Sequence, residues 1–539
     1  MPQLRSRSSI SLLVGLGVAS LFGCQAILGI DDTVFSPTSD AGPGADGPSD
    51  GGGNDATPND AAPTASLLTF APARIFLRRG ETADVSVSLQ RNGFGGAVTV
   101  KLAAVGDAGA ATDGGGANGV SVAPISIAAG QTTGTLHLSA DTNAIVGLTS
   151  LAFDVVTDTT SSATLPVLVA GAPGSPDTSF AVNGIRAGVG GGEAKALAIG
   201  PDDDIWATGN DGHWVVHHLL VDGTVDTSTD TAFAGRLSGI GGSAHAIAVR
   251  GSNVFVGGED GSGYATIRKL TTAGVPDTTF GDSGSFQLVF GSGLHVMSDL
   301  CGLALAPNGD VLTAIHDYAH DQDSVLHLTA EGDKSNERDY GITVIPSAIV
   351  SDADGGVFVT GDFLSPDGGT TFFAQHLDPA FKDAGATTAG SPANGVKTTS
   401  LALSPDGTLV SAGLGEGHNQ NPGAAYAAFD TTTMTTERVV FFQGGNGNEN
   451  GFSGVAAERD AKVVYTHNGG GSMVVALIER YLPDGGEDRS FGDEGSYTVQ
   501  QVAFGTATYF NAIALDSWGR IVVAGRDTTN GFYVTRLWP

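Results

Sequence analysis

Five side chains able to hold a metal fall within one short stretch, His316-Asp317-x-x-His320-Asp321-x-Asp323. Imidazole nitrogens and carboxylate oxygens are common ligands of divalent cations, so a loop folding back on itself could gather them round one ion. A plain solvated loop is the competing reading, and a divalent cation is the only cofactor the sequence leaves open. Gly281-Asp282-Ser283-Gly284 sets a serine between glycines, the local chemistry of a nucleophile if a histidine reaches it. His213, His217 and His218 would share one face of a helix, and Asp352-x-Asp354-Gly355 and Asp202-Asp203-Asp204 have the oxygen-rich spacing of calcium loops.

Whether these groups meet depends on the elements that carry them, and the chain reads as strand throughout. A four-residue pattern of small and apolar residues recurs seven times: Ala196-Leu197-Ala198-Ile199, Ala246-Ile247-Ala248-Val249, Gly302-Leu303-Ala304-Leu305, Ser347-Ala348-Ile349-Val350, Ser400-Leu401-Ala402-Leu403, Gly454-Val455-Ala456-Ala457 and Ala512-Ile513-Ala514-Leu515. Each copy is followed by a polar turn such as Pro307-Asn308-Gly309 or Pro405-Asp406-Gly407, then by a second strand that often ends in glycine, as at Gly209, Gly258, Gly361, Gly413 and Gly525. A third strand follows, for example Val215 to Leu219, and the period of roughly 46 to 58 residues leaves room for four short strands per unit. Small residues let neighbouring sheets approach closely near an axis, so the units are expected to form a ring. The lone strand from Gly184 to Gly188 is expected to pair with Tyr533 to Leu537 and close it without free edges.

This frame decides most of the chemistry. The last unit carries Glu494 where Ser283 stands, so the serine belongs to a turn between strands. In a strand, residues four apart lie roughly 13 Å from each other and neighbours point to opposite faces, which separates the three histidines. Both aspartate clusters occupy the hairpin turn, where aspartate is ordinary turn chemistry. The position just before each pattern holds Lys195, His245, Cys301, Pro346, Thr399, Ser453 and Asn511. If the hairpins are innermost, Lys195, His245, Cys301, Thr399, Ser453 and Asn511 would converge on one opening of the axis and are the candidate ligand-binding residues.

The first residues have the build of an export signal: Arg5 and Arg7, then an apolar run from Ile10 to Phe22, too short to span a bilayer. Leu21-Phe22-Gly23-Cys24 resembles the lipobox of bacterial lipoproteins, which implies a signal peptide over 1–23, lipid on Cys24 and a bacterial envelope location, with the outer membrane expected. Residues 24–65 are dominated by Ser, Pro, Gly, Ala, Asp, Asn and Thr and read as a disordered tether. Residues 66–171 alternate with period two, as in Val85, Val87 and Leu89, with about seven strands in the rhythm of an immunoglobulin-like β-sandwich. Only Cys301 follows Cys24, so packed sheet rather than disulfides must hold the fold. Asp and Glu number 57 against 25 Lys and Arg, a formal charge of −32, which repels phosphate backbones and disfavours nucleic acid as a partner.

Pro276-Asp277-Thr278-Thr279-Phe280-Gly281, Asp488-Arg489-Ser490-Phe491-Gly492 and, less completely, Pro176-Asp177-Thr178-Ser179-Phe180 resemble the turn of the delta-60 repeat family of predicted β-propellers. The resemblance covers about two thirds of the chain and implies a propeller. Units four to six lack the Phe-Gly turn. The reading is therefore all-β, an immunoglobulin-like sandwich followed by a seven-bladed propeller over 172–539. The leading function is a monomeric, lipid-anchored binding or scaffolding protein meeting an unknown protein or glycan. An enzyme working from the axial pocket and a passive surface component are the alternatives, and fold alone does not choose among them.

Overall fold

The computed structural model describes residues 64–539 apart from 104–117, 157–159, 189–191, 229–235, 289–297, 318–321, 367, 390–394, 417–421, 443–448, 470–474, 494, 500–507 and 528–530. The signal segment, Cys24 and the tether, with His320, Asp321 and Glu494, thus lie outside the described residues. The fold is all-β. No described helix is long and apolar enough to cross a membrane.

The N-terminal part is two sheets around one core. A four-stranded sheet runs in the order Thr64–Ala71, Thr82–Asn92, Thr133–Ala140, Val120–Val122. The facing sheet has five strands, Ile75–Arg78, Thr160–Ala170, Gly147–Val156, Val98–Leu102 and Ile125–Ile127. Alternation puts Val85, Val87 and Leu89 inside and Asp84, Ser86 and Ser88 outside, so one face of the strand enters the core. Among the described residues nine strands stand where the sequence rhythm gave about seven. The extra ones are short, such as Val120–Val122 and Ile125–Ile127, which too few residues define by pattern.

The remainder is seven four-stranded units. Their first strands are Glu193–Ile199, the second half of Arg236–Arg250, Ser298–Leu305, Val344–Ser351, Val396–Leu403, Glu449–Ala457 and Thr508–Leu515. Arg236–Arg250 is long because it is both the last strand of unit 1 and the first of unit 2. Each first strand packs on the first strand of the next unit, and that of unit 7 packs on that of unit 1, so the order is cyclic. Packing on both sides explains why these strands lack alternation: Ala246, Ile247, Ala248 and Val249 are all buried. Close approach needs small residues, and a Cβ on Gly302 would lie 3.2 Å from both Ile349 Cγ1 and the Ile349 backbone nitrogen.

Unit 7 is completed from the other end of its chain segment. Ile185–Ala187 pairs antiparallel with Gly531–Leu537, with Ile185 opposite Thr535 and Ala187 opposite Tyr533, which is the closing pair expected from the sequence. The two-sheet part docks on this same unit. Trp538 packs with Leu168 and Ala170, and the Arg74 guanidinium lies 5.2 Å from the Trp518 ring centre.

Candidate functional site

All seven first strands carry a β-bulge at the same place. In unit 1 the ladder jumps from Ala194, paired with Gly209, to Ala196, paired with Thr208, leaving Lys195 as the extra residue. The same jump leaves His245, Cys301, Ser347, Thr399, Ser453 and Asn511 in the other units. Pro346, expected at this position in unit 4, instead stays paired with Gly361, and Ser347 is the bulged residue. The pattern of unit 4 is therefore Ala348-Ile349-Val350-Ser351, one residue later than its composition indicates. Glycine at the end of the second strand marks the register: a Cβ on Gly361 would sit 2.1 Å from Ile345 O, and one on Gly209 would sit 1.8 Å from Glu193 O. That glycine makes room for the carbonyl preceding the bulge pair.

The bulged side chains are turned largely toward protein. Thr399 Oγ1 donates to Phe452 O of the next unit at 2.6 Å, and Asn511 Nδ2 donates to Ala194 O of unit 1 at 2.8 Å. Ser453 Oγ lies 3.0 Å from Thr466 Oγ1, and Lys195 Nζ lies 3.0 Å from Glu193 Oε1. His245 and Cys301 are buried. The bulge thus stitches units together as well as shaping the end of the ring.

Beside it, between units 7 and 1, Gly192, Glu193, Asn210, Arg526, Asp527 and Gly531 line a cleft of about 290 Å³. Arg526 is exposed, whereas Asp527 is buried in the cleft wall. Both signs of charge and an amide line this space, so it can donate to and accept from a polar ligand.

Of the five metal candidates, His316, Asp317 and Asp323 are neighbours, while His320 and Asp321 lie outside the described residues. His316 Nδ1 bonds Asp323 Oδ1, and the Asp317 backbone N–H donates to the same oxygen at 3.3 Å. Among the described residues, no group of three or more His, Cys, Asp or Glu is placed to hold a metal ion. Ser283 takes a left-handed turn conformation, φ 56°, with its hydroxyl donating to Asp282 at 3.2 Å. The Asp202-Asp203-Asp204 turn sends Asp204 to His218, 2.6 Å from Nε2, while Asp352 bonds His376 at 2.7 Å. Burial opposes ionisation of both carboxyls, but hydrogen bonds from His218 and Trp206 in one case and from His376 and Gly356 in the other outweigh it and hold them below the usual range.

These pairs belong to a system that spacing alone does not reveal. One third-strand position carries His218, Lys269, His327, His376, Arg480 and Arg536 in six of the seven units. Each meets a carboxylate: Lys269 with Asp277 at 2.9 Å, His327 with Asp310 at 2.8 Å, Arg480 with Asp488 at 3.0 Å, Arg536 with Asp177 at 2.8 Å. The Asp-x-Ser/Thr-Phe turn is thereby explained. Asp177 Oδ1 accepts from the Ser179 hydroxyl and N–H while Oδ2 takes Arg536, whose guanidinium lies 4.6 Å from the Phe180 ring centre. Asp488, Ser490, Arg480 and Phe491 repeat the arrangement, and Gly492 then donates to Pro173 O of the next turn at 2.9 Å. Hydrogen bonds from Thr279 and Lys269 hold Asp277 down to about 2.

No family model and no curated protein matches the chain. Several solved structures resemble it at low identity. A protein of unknown function from Dyadobacter fermentans is 10% identical, with TM-score 0.36 over 66% of this chain and 98% of that one. A quinonprotein alcohol dehydrogenase-like protein from Bacteroides thetaiotaomicron is 11% identical, with TM-score 0.33 over 88% of this chain and 96% of that one. The apo prolyl oligopeptidase B of Galerina marginata is 10% identical, with TM-score 0.35 over 64% of this chain and 52% of its own. The architecture of this chain rests on its own strand pairing.

Proposed function

We propose that the chain is an immunoglobulin-like sandwich followed by a seven-bladed β-propeller of the delta-60 type, tethered through lipid on Cys24 to a bacterial envelope, and that it binds a polar partner without turning it over. Cyclic packing of the seven first strands and the closing pair Ile185–Ala187 with Gly531–Leu537 support the propeller. The cleft beside the bulges of units 7 and 1 carries the functional reading. Its acids and cations, Glu193, Asp527 and Arg526, with Lys195 held 3.0 Å from Glu193, suit a ligand rich in hydroxyl or amide groups. An envelope glycan fits this chemistry, and a strongly anionic ligand would be repelled by the formal charge of −32. Pairing of Lys195 with Glu193 favours recognition over catalysis, because neither group is left poised as a base or nucleophile.

A Cys24→Ala chain, screened against neutral envelope saccharides, should show saturable binding that falls at least tenfold in Arg526→Ala and in Glu193→Gln. Binding that ignores both substitutions would move the site elsewhere on the ring. Chemical conversion of a bound saccharide would replace the binding reading with an enzyme.

A further inference from the structure

The third-strand position just before the one that carries the paired cations holds His217, Arg268, Leu326, Gln375, Ala427, Glu479 and Thr535 in units 1 to 7. Outside unit 2 it is settled within the protein. Leu326 and Ala427 are buried apolar residues, and His217 lies edge-on to Phe532 with 4.5 Å between ring centres. Gln375 Oε1 accepts from the Tyr340 hydroxyl at 2.6 Å, Glu479 Oε2 accepts from the Tyr481 hydroxyl at 3.2 Å, and Thr535 Oγ1 donates to Gly184 O at 2.9 Å. Arg268 of unit 2 is the exception. Its guanidinium makes no hydrogen bond or ion pair among the described residues, and its Nε is buried, a state that buried polar groups seldom keep.

Arg268 lines a cleft of about 720 Å³ at the outer side of unit 2, a volume ordinary for a small-molecule site. Unit 4 shows what could have answered it. There the last strand of unit 3 sends Tyr340 to Gln375, whereas the last strand of unit 1 meets the cleft with Ile240 and Gly241, neither of which has a polar side chain. The acids on the lining leave Arg268 unpaired. Asp260 is engaged elsewhere, its Oδ1 accepting the N–H groups of Ser262 and Tyr264 at 2.8 and 3.1 Å and its Oδ2 accepting Gln287 Nε2 at 2.7 Å. Asp282 and Asp333 are exposed, the first on a turn of unit 2 and the second on a turn of unit 3.

We propose that this cleft binds a carboxylate carried on a polyhydroxylated body, a sugar acid of the uronate type. The carboxylate meets the terminal nitrogens of Arg268, whose planar fork matches it with two parallel hydrogen bonds. Hydroxyl groups of the body donate to Asp282 and Asp333, which as carboxylates only accept. Those two acids and the formal charge of −32 repel a bare anion, so the ligand must bring donors as well as its charge. Because Asp282 and Asp333 stand on different units, the donors must be spread over the ligand. A sugar ring spreads them, whereas an amino acid keeps one ammonium beside its carboxylate. This site shares no lining residue with the cleft between units 7 and 1.

The test is calorimetry on the full mature chain at fixed ionic strength and neutral pH, comparing glucuronate, glucose, acetate and sulfate. Glucuronate is expected to bind saturably, with the other three each about tenfold weaker or more. Arg268→Gln should weaken glucuronate about tenfold, and Arg268→Lys, which keeps the charge but loses the fork, should recover only part of that loss. Asp333→Ala, at an exposed turn that the fold does not need, should weaken glucuronate severalfold and leave acetate unchanged. Urea midpoints near that of the wild type would show that the ring is intact in each variant. Glucuronate binding that survives both Arg268→Gln and Asp333→Ala, or glucose binding as tightly as glucuronate, would overturn the proposal. Acetate or sulfate matching glucuronate would overturn it in favour of a plain anion site, and a peptide carboxyl terminus binding more tightly would overturn it in favour of a protein partner.

Discussion

Replacing Asp362 by asparagine should stabilise the protein above neutral pH and do little in acid. Asp362 lies near the end of the second strand of unit 4, Val357–Leu364, where its Oδ1 accepts the Thr398 N–H at 2.6 Å. The corresponding residue of unit 6 is Asn468, whose Oδ1 accepts from Phe510 N at 2.7 Å while its Nδ2 donates to Phe510 O at 2.6 Å. An amide satisfies both backbone groups of the neighbouring strand, whereas a carboxylate has only acceptors. Burial accordingly pushes the Asp362 carboxyl up to about 7 from 3.8, with the Thr398 hydrogen bonds, Lys397 and His316 pulling back only in part. Below the unfolded value both states are protonated and there is no penalty. The penalty grows as pH rises from the unfolded value of 3.8 to the folded value of about 7 and is constant above it. A carboxyl carried from 3.8 to about 7 costs the wild type about 4 kcal/mol at pH 8. The asparagine variant escapes that loss, so its urea midpoint should exceed that of the wild type at pH 8 and match it closely near pH 4. The difference between the two chains isolates this group from other carboxylates. Equal stability differences at both pH values would refute the assignment of Asp362 as the buried titrating group.

Other outcomes follow from the same geometry. Arg536→Leu takes from Asp177, which is 0% exposed, its closer guanidinium and leaves only Arg520 at 3.4 Å, and denaturant midpoints should report a loss of about 3 kcal/mol. Gly209→Ala pushes a Cβ to 1.8 Å from Glu193 O, so the bulge of unit 1 must shift at a cost of about 1–3 kcal/mol, seen as a lower Tm. Cys24→Ala should move the protein from membranes to the soluble fraction, and unchanged fractionation would remove the proposed anchor.

The legible parts of the fold were those with a short period or a forced residue. Val85, Val87 and Leu89 announce a half-buried strand, and five second-strand glycines announce the close backbone approach of the bulge. Ser347-Ala348-Ile349-Val350 misled by one position because serine is as small as alanine, yet Gly361 fixes the register through its pairing with Pro346. The carboxylate staples leave no linear signal for a different reason. Asp204 and Asp310 stand at the far end of their hairpin turns, and Asp352, Glu458 and Asp516 at the near end, so no constant spacing links acid to cation. Gly200 shows why the two ends exclude each other, since a Cβ there would lie 2.0 Å from Asp204 Oδ1. Lys195, His245, Cys301, Thr399, Ser453 and Asn511 share the bulge position, but the hydrogen bonds of Thr399 and Asn511 to the next unit depend on inter-strand distances that no linear pattern contains.

Closure draws these features together in unit 7. Asp203 of the unit 1 turn accepts both the Ser517 N–H and hydroxyl at 2.7 Å, and Arg74 of the N-terminal two-sheet part donates to the same hydroxyl at 2.8 Å. Asp177, from the segment before unit 1, holds Arg536 at 2.8 Å and Arg520 at 3.4 Å. Residues 531–537 must therefore be made before Ile185–Ala187 has its partner strand and before Asp177 has its guanidinium. Trp538, which follows that strand, packs on Leu168 and Ala170. The contacts between the N-terminal sheets and the ring thus fall on the unit that the closing strand completes, so deleting residues 531–539 is expected to remove closure and docking together, read as one lower urea midpoint.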